Sequence, residues 1–157
     1  MVMTRYRSIL VLLLAMVMTL VVSCSSPTAK APSTYTNEQI TQIQRIASTL
    51  SALRGTMPVL EGKINKQNWT DVRAYIHGPL GDLRRELSYL TSQFLPQDKK
   101  VALAASKDLS SRLQNIDTAA VAGNYQKAIE NYRAAVKDLD EVLQLIPKES
   151  RPVIGDY

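Results

Sequence analysis

From Thr36 onward the chain repeats apolar residues at alternating spacings of three and four, the interval that places them on one face of an α-helix. The first stripe runs Ile43, Ile46, Leu50, Leu53, Met57, Leu60, Ile64, and Thr36 with Gln39 three residues on forms a capping box at its start. Pro58 interrupts this stripe without shifting its phase. A proline removes a backbone donor and clashes with the preceding turn, so a kink or short break is expected there, with Gly55 adding looseness nearby. The second stripe follows Asn68, a favoured N-cap, and reads Trp69, Val72, Ile76, Leu80, Leu83, Leu87, Leu90, Phe94; Gly78-Pro79 in its middle predicts a bend. After the break Leu95-Pro96-Gln97-Asp98, a third stripe carries Val101, Ala105, Leu109, Leu113, Ile116 and Ala120. Gly123 and Asn124 end that helix and cap the fourth, whose stripe is Tyr125, Ile129, Tyr132, Val136, Leu139, Leu143, Ile146, stopped by Pro147.

Alternation of β-branched residues never persists beyond a few positions, so strands are not expected. Breaks of about three to four residues join antiparallel neighbours, and the economical arrangement is an all-α, up-down-up-down four-helix bundle over residues 36–147. Residues 148–157 read as a loose C-terminal tail. The two helix starts Asn68-Trp69 and Asn124-Tyr125 echo each other, an amide cap before an aromatic. The plain reading is two helix starts with an aromatic lid over one end of the bundle, rather than duplicated binding sites.

Ahead of the bundle the pattern is different. Ile9 to Val22 is a 14-residue apolar run broken only by Thr19, preceded by Arg5 and Arg7 and followed by the small Ser23. That order is an export signal, and spanning a bilayer as a helix takes about 20 residues, so residues 1–23 are expected to be removed. The sole cysteine, Cys24, stands at the first position after the cut, and Val21 to Cys24 resembles the lipobox of bacterial lipoproteins. The resemblance implies a lipid-bearing thiol, and two or more acyl chains hold a protein stably on a membrane. An ordinary signal peptide or an uncleaved anchor are the alternatives. Residues 24–35 are small, polar and proline-bearing, a flexible tether whose last 11 residues span about 18 Å.

Removing the signal changes the charge. All 14 acidic residues follow Cys24 while two of the 19 basic ones precede it, leaving a balance of +3. That is too mild for a nucleic-acid binder. With no cysteine after Cys24, disulfides, thiolate metal sites and a thiol nucleophile are excluded from the folded part. Its stability has to come from one packed core, for which 134 residues suffice.

Catalytic constellations are missing from the sequence. No serine sits in a Gly-x-Ser-x-Gly setting, no glycine-rich loop opens a helix, and His77 is the only histidine. Asp138, Asp140 and Glu141 read as a solvated face, since no Glu-x-x-His pair of the di-iron type occurs. A non-enzymatic protein without cofactor is expected. One sharper alternative is a haem held between Met57 and His77, which lie at similar heights on facing helices; His77 is, however, one step off the apolar stripe and Met57 fits ordinary packing. On the polar side of the second helix, Arg73, His77, Gly81 and Arg84 follow spacings of four, four and three, with Arg85 adjacent. This basic face is a candidate docking surface for an acidic partner, with an ordinary solvated face as the alternative.

The block Tyr75-Ile76-His77-Gly78-Pro79-Leu80-Gly81-Asp82-Leu83-Arg84, on the second of four helices, resembles the PsbQ-like family, and the lipobox resembles its cyanobacterial branch. That resemblance implies an extrinsic subunit of photosystem II on the lumenal side of the thylakoid membrane, stabilising the oxygen-evolving assembly and its calcium and chloride. Its implied partners are photosystem II core subunits and the other extrinsic lumenal subunits, with the thylakoid membrane reached through the lipid; in isolation the protein is expected to be a monomer. Only Cys24 is carried over as a family site, for lipid attachment. A generic envelope lipoprotein acting as assembly factor or adaptor shares every feature except the Gly-Pro-Leu block.

Overall fold

Side chains near the predicted helix starts close those starts. In the computed structural model, which describes residues 34–151, Gln39 N–H donates to Thr36 Oγ1 (3.2 Å) and Thr36 N–H donates to Gln39 Oε1 (3.0 Å), completing the capping box of α1 (Asn37–Asn65). Asn68 accepts from Asp71 N–H at the start of α2 (Trp69–His77). Asn124 does the same with Lys127 N–H at the start of α5 (Tyr125–Gln144). Between them lie α3 (Leu83–Gln93) and α4 (Pro96–Val121), the latter opening on a proline whose missing N–H would have no helical partner at that position. The described residues form an all-α bundle of five helices.

Two prolines behave differently from each other. α1 runs unbroken through Pro58, so the short break is not found there. Around the lost N–H, the Thr56 hydroxyl donates to Leu53 C=O (2.8 Å) and Tyr75 Oη donates to Thr56 C=O (3.2 Å), so backbone acceptors there have side-chain donors. At Gly78-Pro79 the effect exceeds a bend: the second arm splits into α2 and α3. Pro79 keeps Gly78 out of helical geometry (φ −94°, ψ −97°), and the turn is closed by Leu80 N–H to Tyr75 C=O (3.2 Å) and Gly81 N–H to Gly78 C=O (2.9 Å). Leu80 stays in the core at 2% exposure, so the apolar stripe Ile76, Leu80, Leu83 continues across the split.

Cross-helix bonds give the order of the bundle. Between α1 and the split arm, Gln39 Nε2 reaches Gln93 C=O, Thr56 C=O meets Tyr75, and Lys63 meets Asp71, so one number falls as the other rises. The same inverse relation links α4 with α5, through Arg112 with Asp138 and Asn115 with Asn131, and α1 with α5, through Arg54 with Asp140, Glu61 with Tyr132 and Asn65 with Tyr125. Neighbours therefore run antiparallel: α1 packs on α2, α3 and α5, while α4 packs on α2, α3 and α5; the diagonal pairs do not meet. The core is drawn from all five helices, with Ile43, Leu50, Met57, Leu60, Leu83, Leu90, Leu109, Ile116 and Leu139 fully buried. Val101 departs from the expected stripe and is 55% exposed; Ala102 and Ser106 point inward in its place, because the face of α4 is set by two flanking helices.

Both ends of the bundle are tied. At one end the turns before α2 and α5 share a geometry, with Gln67 at φ 52° and Gly123 at φ 63°, and with Asn68 N–H and Asn124 N–H each reaching back five residues to a carbonyl. Trp69 lies against Gly123 and Tyr125 Oη donates to Asn65 Oδ1 (3.1 Å), forming the aromatic lid over this end. At the other end the tether's last residue is pinned: Tyr35 Oη donates to Asp98 Oδ2 (3.0 Å) and accepts from Leu95 N–H. Burial, followed by the Asp98 carboxylate, pushes the Tyr35 phenol up, partly offset by the Leu95 N–H. Residues 148–151, expected to be loose, are also held: Ser150 is fully buried in a 3₁₀ turn against α1, and Arg151 donates to Ile146 and Gln144 carbonyls at the end of α5. The expected signal, Cys24 and most of the tether lie outside the described residues.

Candidate functional site

The split in the second arm opens a groove of 650 Å³ between α2, α3 and α4. Its floor is apolar, from Ile76, Leu80, Leu83 and Leu113, and its rim is polar. From α4 come Lys107, Ser110, Gln114 and Asp117, which with Leu103 follow spacings of four, three, four and three and so share one face of that helix. From the other side come His77, Gly81 and Arg84. Gly81 is required by close approach: a Cβ there would stand 2.6 Å from His77 carbonyl oxygen and 3.1 Å from that of Gly78.

The four basic residues expected to form one docking face are sorted by the fold into three environments. Arg73 and His77, one turn apart on α2, converge on a single carboxylate oxygen: Arg73 Nε is 3.1 Å and His77 Nε2 3.0 Å from Asp117 Oδ1. They latch α2 to α4, although the His77 side chain remains 65% exposed. Arg85 turns to its own helix, with Asp82 at 3.1 Å and Glu86 at 3.7 Å. Arg84 has no ion pair among the described residues and lines the groove. Facing it across the groove, Lys107 is likewise without an ion pair among the described residues. Sequence reasoning confined to the second helix missed it; the three-four-three polar spacing of Lys107, Ser110, Gln114 and Asp117 on α4 was the signal.

The other carboxylates do not make a metal site. Asp140 accepts from Nε and Nη2 of Arg54 (2.7 and 3.1 Å), and this hydrogen bonding holds the guanidinium above its usual pKa. Glu141 pairs with Lys137 and Asp138 approaches Arg112 at 3.6 Å, so the solvated face expected there is in part a set of interhelical pairs. Among the described residues no three His, Cys, Asp or Glu side chains gather as a metal set. The Met57 and His77 side chains are not presented to a common space. Met57 is fully buried in α1 and does not line the groove, whereas His77 turns outward to Asp117. A second, smaller hollow of 430 Å³ between α4 and α5 is lined by amides and by Lys127 with Glu130, charges that offset each other.

Among the described residues no helix is long and apolar enough to cross a membrane. Comparison with known proteins points one way. The family described as PsbQ, oxygen evolving enhancer protein 3, matches residues 2–147. A Synechocystis protein named CyanoQ is 42% identical over 149 residues, an alignment that covers 94% of this chain and the whole of that relative.

Proposed function

Because the chain belongs to the PsbQ family of oxygen-evolving enhancer proteins, we propose that it is a non-enzymatic extrinsic subunit of photosystem II, bound on the lumenal side of the thylakoid membrane. There it stabilises the oxygen-evolving assembly and its retention of calcium and chloride. The observation that carries this reading is the full-length match to CyanoQ, which leaves no part of that relative without a counterpart here. The architecture supports it: a core closed by antiparallel helices, with polar chemistry at its surface, suits a protein that acts by binding. Of the basic residues Arg73, His77, Arg84 and Arg85 on the second arm, Arg84 is the one left to meet a partner, while Arg73 and His77 shape the surface beside it through Asp117 and Arg85 is held by Asp82 and Glu86; core and extrinsic lumenal subunits are the protein's partners.

Cys24 carries the lipid in this reading, and the tether lets the bundle reach a surface about 18 Å from the anchor point. A mild-detergent pull-down through a C-terminal tag from the native host, with light-driven oxygen evolution assayed on the product, tests the proposal. Recovery of active photosystem II cores is the expected result; recovery of envelope proteins without chlorophyll would replace it with an adaptor role. In the same host, Cys24→Ala should lower membrane retention in detergent-free extraction, and unchanged attachment would show that protein contacts suffice.

A further inference from the structure

We propose that the groove between α2, α3 and α4 receives an acidic segment of a photosystem II protein, gripped by Arg84 and Lys107 over an apolar floor. This rests on the assignment to photosystem II and specifies the contact. Charge complementarity selects the occupant. Arg84 and Lys107 line opposite sides of the groove, both are exposed, and neither has an ion pair among the described residues. The carboxylate that also lines it, Asp117, is already engaged by Arg73 and His77, so it does not cancel them. Ile76, Leu80 and Leu113 beneath offer apolar contact to the side chains between the acidic ones.

The geometry also divides labour among the basic residues. Arg73 and His77 hold the wall of the groove through Asp117, and Arg85 faces its own helix, which leaves the incoming charge to Arg84 and Lys107. A short extended segment fits such a cleft better than a flat bilayer surface does, because the apolar floor lies below the charged rim.

The test uses the full chain and photosystem II cores stripped of their own copy. Three proteins are titrated onto the cores: the unaltered chain, the double variant Arg84→Glu with Lys107→Glu, and a charge-matched control, Arg45→Glu with Arg133→Glu, on other faces of the bundle. Circular dichroism confirms that all three remain helical. The expected result is a loss of affinity on the order of tenfold or more for the groove variant, and less than about threefold for the control. Equal weakening of both variants would overturn the groove and leave only diffuse electrostatics. Failure of the unaltered chain to bind would instead overturn the photosystem II assignment on which the proposal stands. A parallel arm offers vesicles containing anionic phospholipid. If the groove variant loses vesicle binding while keeping core binding, the occupant is a lipid headgroup and the peptide assignment falls.

Discussion

Two opposite seams of this bundle, α1 with α5 and the split second arm with α4, solve opposite problems. Along α1 and α5 the polar groups are consumed internally. Arg54 grips Asp140 with two nitrogens, Tyr132 Oη sits 3.4 Å from Glu61 Oε2, and Tyr125 bonds Asn65, over fully buried Leu139 and Met57. Between the split second arm and α4 the corresponding surface is left open, with a groove, an internal latch at Asp117 and two cations without ion partners among the described residues. The difference begins in one dipeptide. Pro58 sits inside α1 without ending it, whereas Gly78 leaves helical geometry ahead of Pro79 and the second arm breaks there. A closed seam stabilises the fold; an open one leaves charge available to a partner.

Matched truncations should show the largest contrast. Leu139→Ala removes a fully buried side chain from the closed seam and is expected to cost about 3–5 kcal/mol, while Leu113→Ala, 9% exposed on the groove floor, should cost nearer 2 kcal/mol because solvent can enter the space left. Urea unfolding of both variants measures the gap, and equal losses would mean that the groove is packed as tightly as the seam.

The break itself comes next. Gly81→Ala brings a methyl against the His77 and Gly78 carbonyls and should destabilise by about 1–3 kcal/mol, in contrast to Gly55→Ala on α1, where no atom lies within 4 Å and a gain of about 0.5–1 kcal/mol is expected. Thermal melts of the pair would reveal whether the split is as tightly determined as its geometry implies; a neutral Gly81→Ala would show that it is not.

The smallest effect is confined to alkaline pH. Burial above all, with the charge of Glu61 and its hydrogen bond, pushes the Tyr132 phenol up to about 12 from an ordinary value of 10. Because the folded form holds its proton more tightly, this contribution is intact below about pH 10 and is lost as pH rises through about 12. The slope of stability against pH over that window should flatten in Tyr132→Phe.

Much of the architecture was legible in the order of residues because helix periodicity and capping act over three or four positions. The stripes of α1, α3 and, beyond the exposed Tyr125, α5, with the capping box at Thr36 and the amide caps at Asn68 and Asn124, stand where local rules put them. Family membership was legible for a similar reason, in the local block from Tyr75 to Arg84. Val101 and Lys107 were not, because which flank of α4 meets another helix depends on two neighbours at once. The same limit applies to charge. Sequence gathered Arg73, His77, Arg84 and Arg85 on one helix face; only the packing of α4 supplied Asp117 to engage the first two and Lys107 to join Arg84. Local interactions set where helices begin, end and turn apolar, but a cation's availability depends on partners about 40 residues away in sequence, which the folded chain alone brings within bonding distance.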